Sequence, residues 1–196
     1  MKDLENYNKY LVDNLLPLIQ TIKPVKCESL VDKSLGLNCE RSVQSYRIQF
    51  GNNIEIFWNK VFSYCSGVQN LIEDNDRIDV NGKSRQIDCL FKTINSLIYY
   101  LEMKCNLDFD SEKVKASNAK VQEISNVVGA NVSGYFCPVA DEIDGSVNVK
   151  YNNKGLKVFS VNDVIEIIGD ECPFTSEEYF SFLKFAGSIL KDKYGF

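Results

Sequence analysis

Residues 97–113 read LIYYLEMKCNLDFDSEK, and their reading organises the rest of the chain. The stretch begins as an apolar, aromatic strand, Leu97 to Leu101, which Glu102 and Lys104 then interrupt. Successive side chains on a strand point to opposite faces. Glu102 and Lys104 therefore share one face, and Leu101 and Met103 share the other. From Asp108 onward the pattern turns helical, with Asp110 or Ser111 near the N-cap. A buried strand that carries an acid and a base side by side on one face needs a chemical reason.

Upstream, RIDV-NG-KSRQIDCLFKT places Asn81-Gly82 between two strand-like runs, a strong hairpin signal. A second turn at 94–96 (INS) leads into the strand of the opening stretch, so a three-stranded antiparallel meander is expected over residues 77–105. Downstream, SGYFCPVA (133–140) reads as a buried strand, parallel to its predecessor across the intervening helix. SVNVKYNNKGLKVFS suggests a second hairpin around 152–155. VNDVIEII is a short helix ending at Gly169, and a last helix starts at Thr175 with Glu178 completing a capping box. Near the N-terminus, residues 3–22 have helical spacing of Leu11, Leu15, Leu18 and Ile19, divided by Pro17. Residues 51–72 read as a helix with Asn53 as its N-cap; between 24 and 50 no pattern is clear. The fold class expected is α/β (α+β): a mixed central β-sheet flanked by helices, in a single domain over 1–196.

The chain contains no histidine. That excludes Ser-His-Asp and Cys-His catalysis and histidine zinc sites, leaving carboxylates, lysines, tyrosines and thiols. Seven cysteines (27, 39, 65, 89, 105, 137, 172) lie dispersed with no C-x-x-C pair, which points to reduced thiols. No apolar run reaches the roughly 20 residues that span a bilayer. The opening MKDLENYNKY is mixed in charge and does not read as a signal peptide. A cytoplasmic protein with no membrane partner is expected.

Asp88 lies on the strand before the opening stretch, and a hairpin folds that strand against the one carrying Glu102 and Lys104. Two carboxylates converging beside a lysine are costly unless compensated. A hard dication compensates them: Mg²⁺ takes a couple of carboxylates together with water and phosphate oxygens.

Asp88, thirteen intervening residues, then Glu102-Met103-Lys104 and a helix resemble the core of the PD-(D/E)xK nucleases, and YYLEMKCNLDFDSEK most resembles type II restriction endonucleases. The resemblance covers residues 77–140; the proline that gives the motif its first letter is Ile87 here. It implies a restriction-endonuclease-like sheet and Mg²⁺-dependent hydrolysis of double-stranded DNA at a short specific sequence, usually by a homodimer. Carried over position by position, it implies that Asp88 and Glu102 ligate metal, that the Met103 backbone carbonyl adds a further ligand, and that Lys104 positions the attacking water. Many members draw another acid from the helix before the meander. Glu55 and Glu73 are the candidates, and Glu55 is preferred.

Lys113 and Lys120 fall about two turns apart on one helix face with Ala116. They read either as phosphate contacts or as a solvated face paired with Glu112 and Glu123. Asn148, Lys150, Asn152, Asn153 and Lys154 are suited to base edges or phosphates, or form an ordinary turn. The net charge of −5 implies a weak non-specific grip on DNA. Two rivals remain: a repair or recombination nuclease that reads DNA structure, and a non-catalytic DNA-binding or interaction module retaining the same sheet.

Overall fold

The structure is a computed structural model and describes residues 4–23, 42–72, 76–107, 111–145, 147, 151 and 156–194. The chain divides into two compact units, Met1–Phe57 with Glu178–Phe196, and Trp58–Glu177. The α-helices described in full are α1 (Lys9–Asn14), α2 (Leu16–Gln20), α3 (Ser42–Tyr64), α4 (Ser111–Val128), α5 (Val161–Ile168) and α6 (Ser176–Tyr194). The strands are β1 (Val68–Asn70), β2 (Arg77–Val80), β3 (Lys83–Gln86), β4 (Cys89–Thr93), β5 (Ile98–Met103), β6 (Val132–Phe136) and β7 (Lys157–Phe159).

The first unit is helical. Asn8 caps α1 by accepting from the Tyr10 amide, and Pro17 enters the first turn of α2, where a missing N–H costs nothing. The expected division of the first helix at Pro17 is thus present. Leu11, Leu15, Ile19, Ile54, Phe57, Tyr179 and Phe182 are all buried. Tyr7 stacks on Phe185 with ring centroids 4.4 Å apart. Asn53 does not cap a helix start: it lies inside α3 and donates to the Leu18 carbonyl at 2.7 Å.

The second unit is built on a five-stranded sheet of order β1-β4-β5-β6-β7. β1, β4 and β5 are antiparallel neighbours, whereas β6 and β7 run parallel to β5. The chain is therefore a mixed α/β protein with a mixed sheet flanked by helices. α4 makes the β5-to-β6 crossover and lays Val114, Val121 and Ile124 into one core with Leu90, Tyr100, Tyr135 and Val158. The opposite face is aromatic: Trp58 meets Phe136 edge-on at 4.8 Å, Phe62 stacks on Phe91, and Phe91 stacks on Tyr99. Burial of Trp58 and Tyr100 makes them core rather than base-stacking surface.

Two expectations are corrected here. The helix expected over 51–72 starts earlier and stops at Tyr64; Gly67 then turns the chain into β1. A Cβ at Gly67 would collide with the Ile168 carbonyl, so only glycine allows that approach. The meander over 77–105 is split. Asn81 (φ 54°) and Gly82 (φ 75°) form the expected tight turn, but β2 and β3 make a separate two-stranded sheet. Its ladder ends at Gln86, the Ile87 amide bonds the Asp76 carbonyl, and the chain bends at Asp88 before β4 joins the main sheet. The hairpin expected around 152–155 lies outside the described residues; beyond them β7 pairs in parallel with β6. A parallel neighbour needs a crossover rather than a tight turn, and Tyr151, on that connection, is helical and buried.

The parallel 133–140 strand is present as β6. α5 ends at Gly169 (φ 81°) as expected and carries a capping box between Ser160 and Asp163. Among the described residues no helix is long and apolar enough to cross a membrane.

Candidate functional site

The antiparallel register of β4 and β5 pairs Cys89 with Leu101 and Leu90 with Tyr100. Continued by one residue, it sets Asp88 opposite Glu102, and directly opposite residues share a face. That face is the one covered by α4, since Leu90 and Tyr100 belong to the α4 core. The bend between β3 and β4 delivers Asp88, and strand periodicity delivers Glu102 and Lys104.

Both acids are buried, Asp88 at 7% and Glu102 at 3% exposure. The Met103 amide donates to Asp88 Oδ2 at 3.0 Å. Lys104 Nζ donates to Glu102 Oε1 at 2.8 Å and lies 3.9 Å from Asp88 Oδ2. Tyr100 Oη donates to Glu102 Oε2 at 2.9 Å. From α4, Lys120 Nζ reaches both Glu102 oxygens, at 2.7 Å and 2.8 Å. Behind the pair, Asn59 donates to the Asp88 carbonyl at 3.0 Å and fixes the bend, while its Oδ1 is buried without a hydrogen-bond partner. Tyr135, beside Glu102 on β6, donates to Asn118 at 2.7 Å.

The electrostatics divide the two acids. Burial, and then the neighbouring Glu102 charge, push the Asp88 carboxyl up to about 6 against the pull of Lys104, Lys120 and the Met103 amide. Burial also works to raise Glu102, but Lys104 and Lys120 outweigh it and hold this carboxyl below its ordinary value. Glu102 is thus the firm anion and Asp88 the member that accepts a proton first. Burial and the Glu102 charge push the Tyr100 hydroxyl upward, so it stays a donor.

The donor set suits a small hard cation. Mg²⁺ is held by one or two carboxylates with water and phosphate supplying the rest, and Asp88 Oδ1 takes part in none of the bonds above. Among the described residues no group of three or more acids or cysteines is arranged to hold a metal.

Glu55 is half-buried on α3, in the first unit. Lys113 lies on α4, with its side chain outside the described residues, as are Glu73, Asn148, Lys150, Asn152, Asn153 and Lys154. Lys120 turns toward Glu102, with Ala116 exposed one turn earlier. Met103, whose backbone carbonyl was the expected contributor, donates its amide to Asp88. Sequence reasoning did not anticipate the Tyr100 and Lys120 contacts to Glu102. The Tyr100 signal was its spacing two residues before Glu102, which puts both on one strand face.

No protein-family model matches the chain, and no curated protein matches it.

Proposed function

We propose that this protein is a Mg²⁺-dependent endonuclease of the type II restriction class, hydrolysing phosphodiester bonds of duplex DNA at a short sequence, with a restriction-endonuclease-like core. One observation carries the reading. Lys104 Nζ stands 2.8 Å from Glu102 and 3.9 Å from Asp88, at the end of a strand whose register sets the two acids opposite each other. That is the acid–acid–base arrangement the motif requires, in a protein whose lack of histidine removes the common alternatives.

In this reading Asp88 and Glu102 hold the cation, with the Met103 carbonyl as a further contributor. A bound Mg²⁺ supplies Lewis-acid stabilisation of the charge that builds on the phosphate, and makes coordinated water more acidic. Lys104 orients the attacking water and balances the charge of the phosphate. The water oxygen bonds phosphorus as the opposite phosphorus–oxygen bond breaks; the water's proton passes to solvent and solvent protonates the departing oxygen, giving a phosphate monoester and an alcohol. Lys113 and the Asn/Lys residues over 148–154 are the proposed DNA contacts. A homodimer in the cytoplasm fits a palindromic site.

A second reading, a non-catalytic module, draws on one observation: Glu102 already has a full set of internal donors, as a structural ion-pair network would. Incubating long duplex DNAs of varied sequence with Mg²⁺ or EDTA, beside Lys104→Ala, separates the two. Discrete Mg²⁺-dependent fragments that vanish in the variant support the nuclease. Intact DNA throughout supports the module, and cleavage confined to junctions or ends points to a repair nuclease.

A further inference from the structure

A carboxylate offers about four acceptor positions, two on each oxygen. Glu102 has all of them engaged: Oε1 accepts from Lys104 and Lys120, and Oε2 accepts from Tyr100 and Lys120. With this set of partners Glu102 has no lone pair left for a metal ion, so ligation requires a donor to leave.

The three donors differ in what their departure opens. Tyr100 is fully buried on the same strand, and its loss would free a position on Oε2 alone. Lys104 would free a position on Oε1 alone. Lys120 bonds both oxygens, comes from a different element, and keeps 26% of its side chain exposed. Its flexible stem gives it a route into solvent that the tyrosine lacks, and its departure opens an edge with one position on each oxygen.

Charge also requires an ammonium to leave. Asp88 and Glu102 face Lys104 and Lys120, so with both acids ionised the cluster is balanced. A divalent ion added to that cluster is repelled unless an ammonium withdraws or an anion arrives. Lys120, at the rim on α4, can withdraw and then pair with the arriving phosphate.

We propose that Lys120 is the internal counter-cation of Glu102, a latch that a divalent ion displaces on binding and that then turns to the phosphate of the bound nucleic acid. This rests on the nuclease reading above and names a residue outside its acid–acid–base motif.

The test is Mn²⁺ binding to the full chain without DNA, followed by the electron paramagnetic resonance signal of the free ion. The expected result is that Lys120→Met binds Mn²⁺ more tightly than wild type, by about 10- to 100-fold, the scale on which neighbours of ligands tune metal affinity. Lys120→Arg, which keeps a cation in place, should restore weak binding, and Lys104→Met, which opens one oxygen, should tighten binding less than Lys120→Met. Circular dichroism checks that each variant is folded. Unchanged affinity in folded Lys120→Met, with binding abolished in Asp88→Asn, overturns the latch and leaves the metal site standing. Absence of Mn²⁺ binding in wild type and in every variant overturns the metal site, and the latch with it.

Discussion

Asp88→Asn exchanges a carboxylate oxygen for an amide nitrogen and keeps the shape of the side chain, including an oxygen that accepts from the Met103 amide. What it removes is the cost of holding a charge in a buried position beside Glu102. That cost can be sized from the shift of the Asp88 carboxyl from 3.8 to about 6. At 1.36 kcal/mol per unit, it amounts to about 3 kcal/mol. The sign follows from linkage. Because the folded-state value lies above the unfolded one, this group favours the folded state fully below pH 3.8, and that contribution is lost as pH rises through about 6. At pH 8 wild type bears the whole penalty and Asp88→Asn bears none. The variant should therefore be more stable by up to about 3 kcal/mol, or roughly 6–12 °C in Tm for a chain of this size. The advantage should shrink toward zero by pH 4. Thermal unfolding in EDTA at pH 8, 6 and 4 measures it. Adding Mg²⁺ at pH 8 should then raise the Tm of wild type more than that of the variant, because only wild type retains both of the proposed ligands. A variant less stable than wild type at pH 8, or an equal gain at pH 4 and pH 8, would refute the electrostatic reasoning.

Glu102→Gln should act in the opposite direction. It leaves two ammoniums without their anion, but their side chains are 26–29% exposed and can turn to water, so the loss should be about 2 kcal/mol rather than the full cost of breaking a buried pair. Because Glu102 is held below its ordinary value of 4.5, its contribution is present above that pH and lost as pH falls through the depressed value. Urea unfolding should accordingly show the gap at pH 7 and show it closing in acid. Gly134→Ala tests the sheet on which the site is built: a Cβ there would run into the Lys157 backbone carbonyl across the β6–β7 pair. The denaturation midpoint should fall by an amount equivalent to about 1–3 kcal/mol, and a variant as stable as wild type would mean that the two strands are not so closely paired.

The Asp88, Glu102 and Lys104 cluster was legible because it depends on local rules. Side-chain alternation put Glu102 and Lys104 on one face, and the turn at 94–96 folded β4 onto β5 so that Asp88 came opposite Glu102. The partners of Glu102 were less legible for two reasons. Tyr100 looked like any buried aromatic, although its hydroxyl needs an acceptor when buried. Lys120 lies eighteen residues further along the chain, and its reach depends on how α4 crosses the sheet. The three-residue β1 was missed because so short a strand carries no periodicity and is fixed by pairing with β4. The break at Asp88 was missed because 83–93 reads as one continuous strand, and only the bond from Ile87 to the Asp76 carbonyl, together with the burial of Ile87, shows where one ladder stops and the next begins.

Everything proposed for the site depends on Asp88 and Glu102 sharing a divalent ion. A crystal grown at pH 8 and soaked with Mn²⁺, with data collected at the manganese absorption edge, tests this most directly. The expected result is an anomalous peak between the two carboxylates with Lys120 moved off Glu102, and no peak there in Asp88→Asn. A site free of metal at saturating Mn²⁺, with Lys104, Lys120 and Tyr100 still bonded to Glu102, would contradict it and leave these residues as a structural ion-pair network.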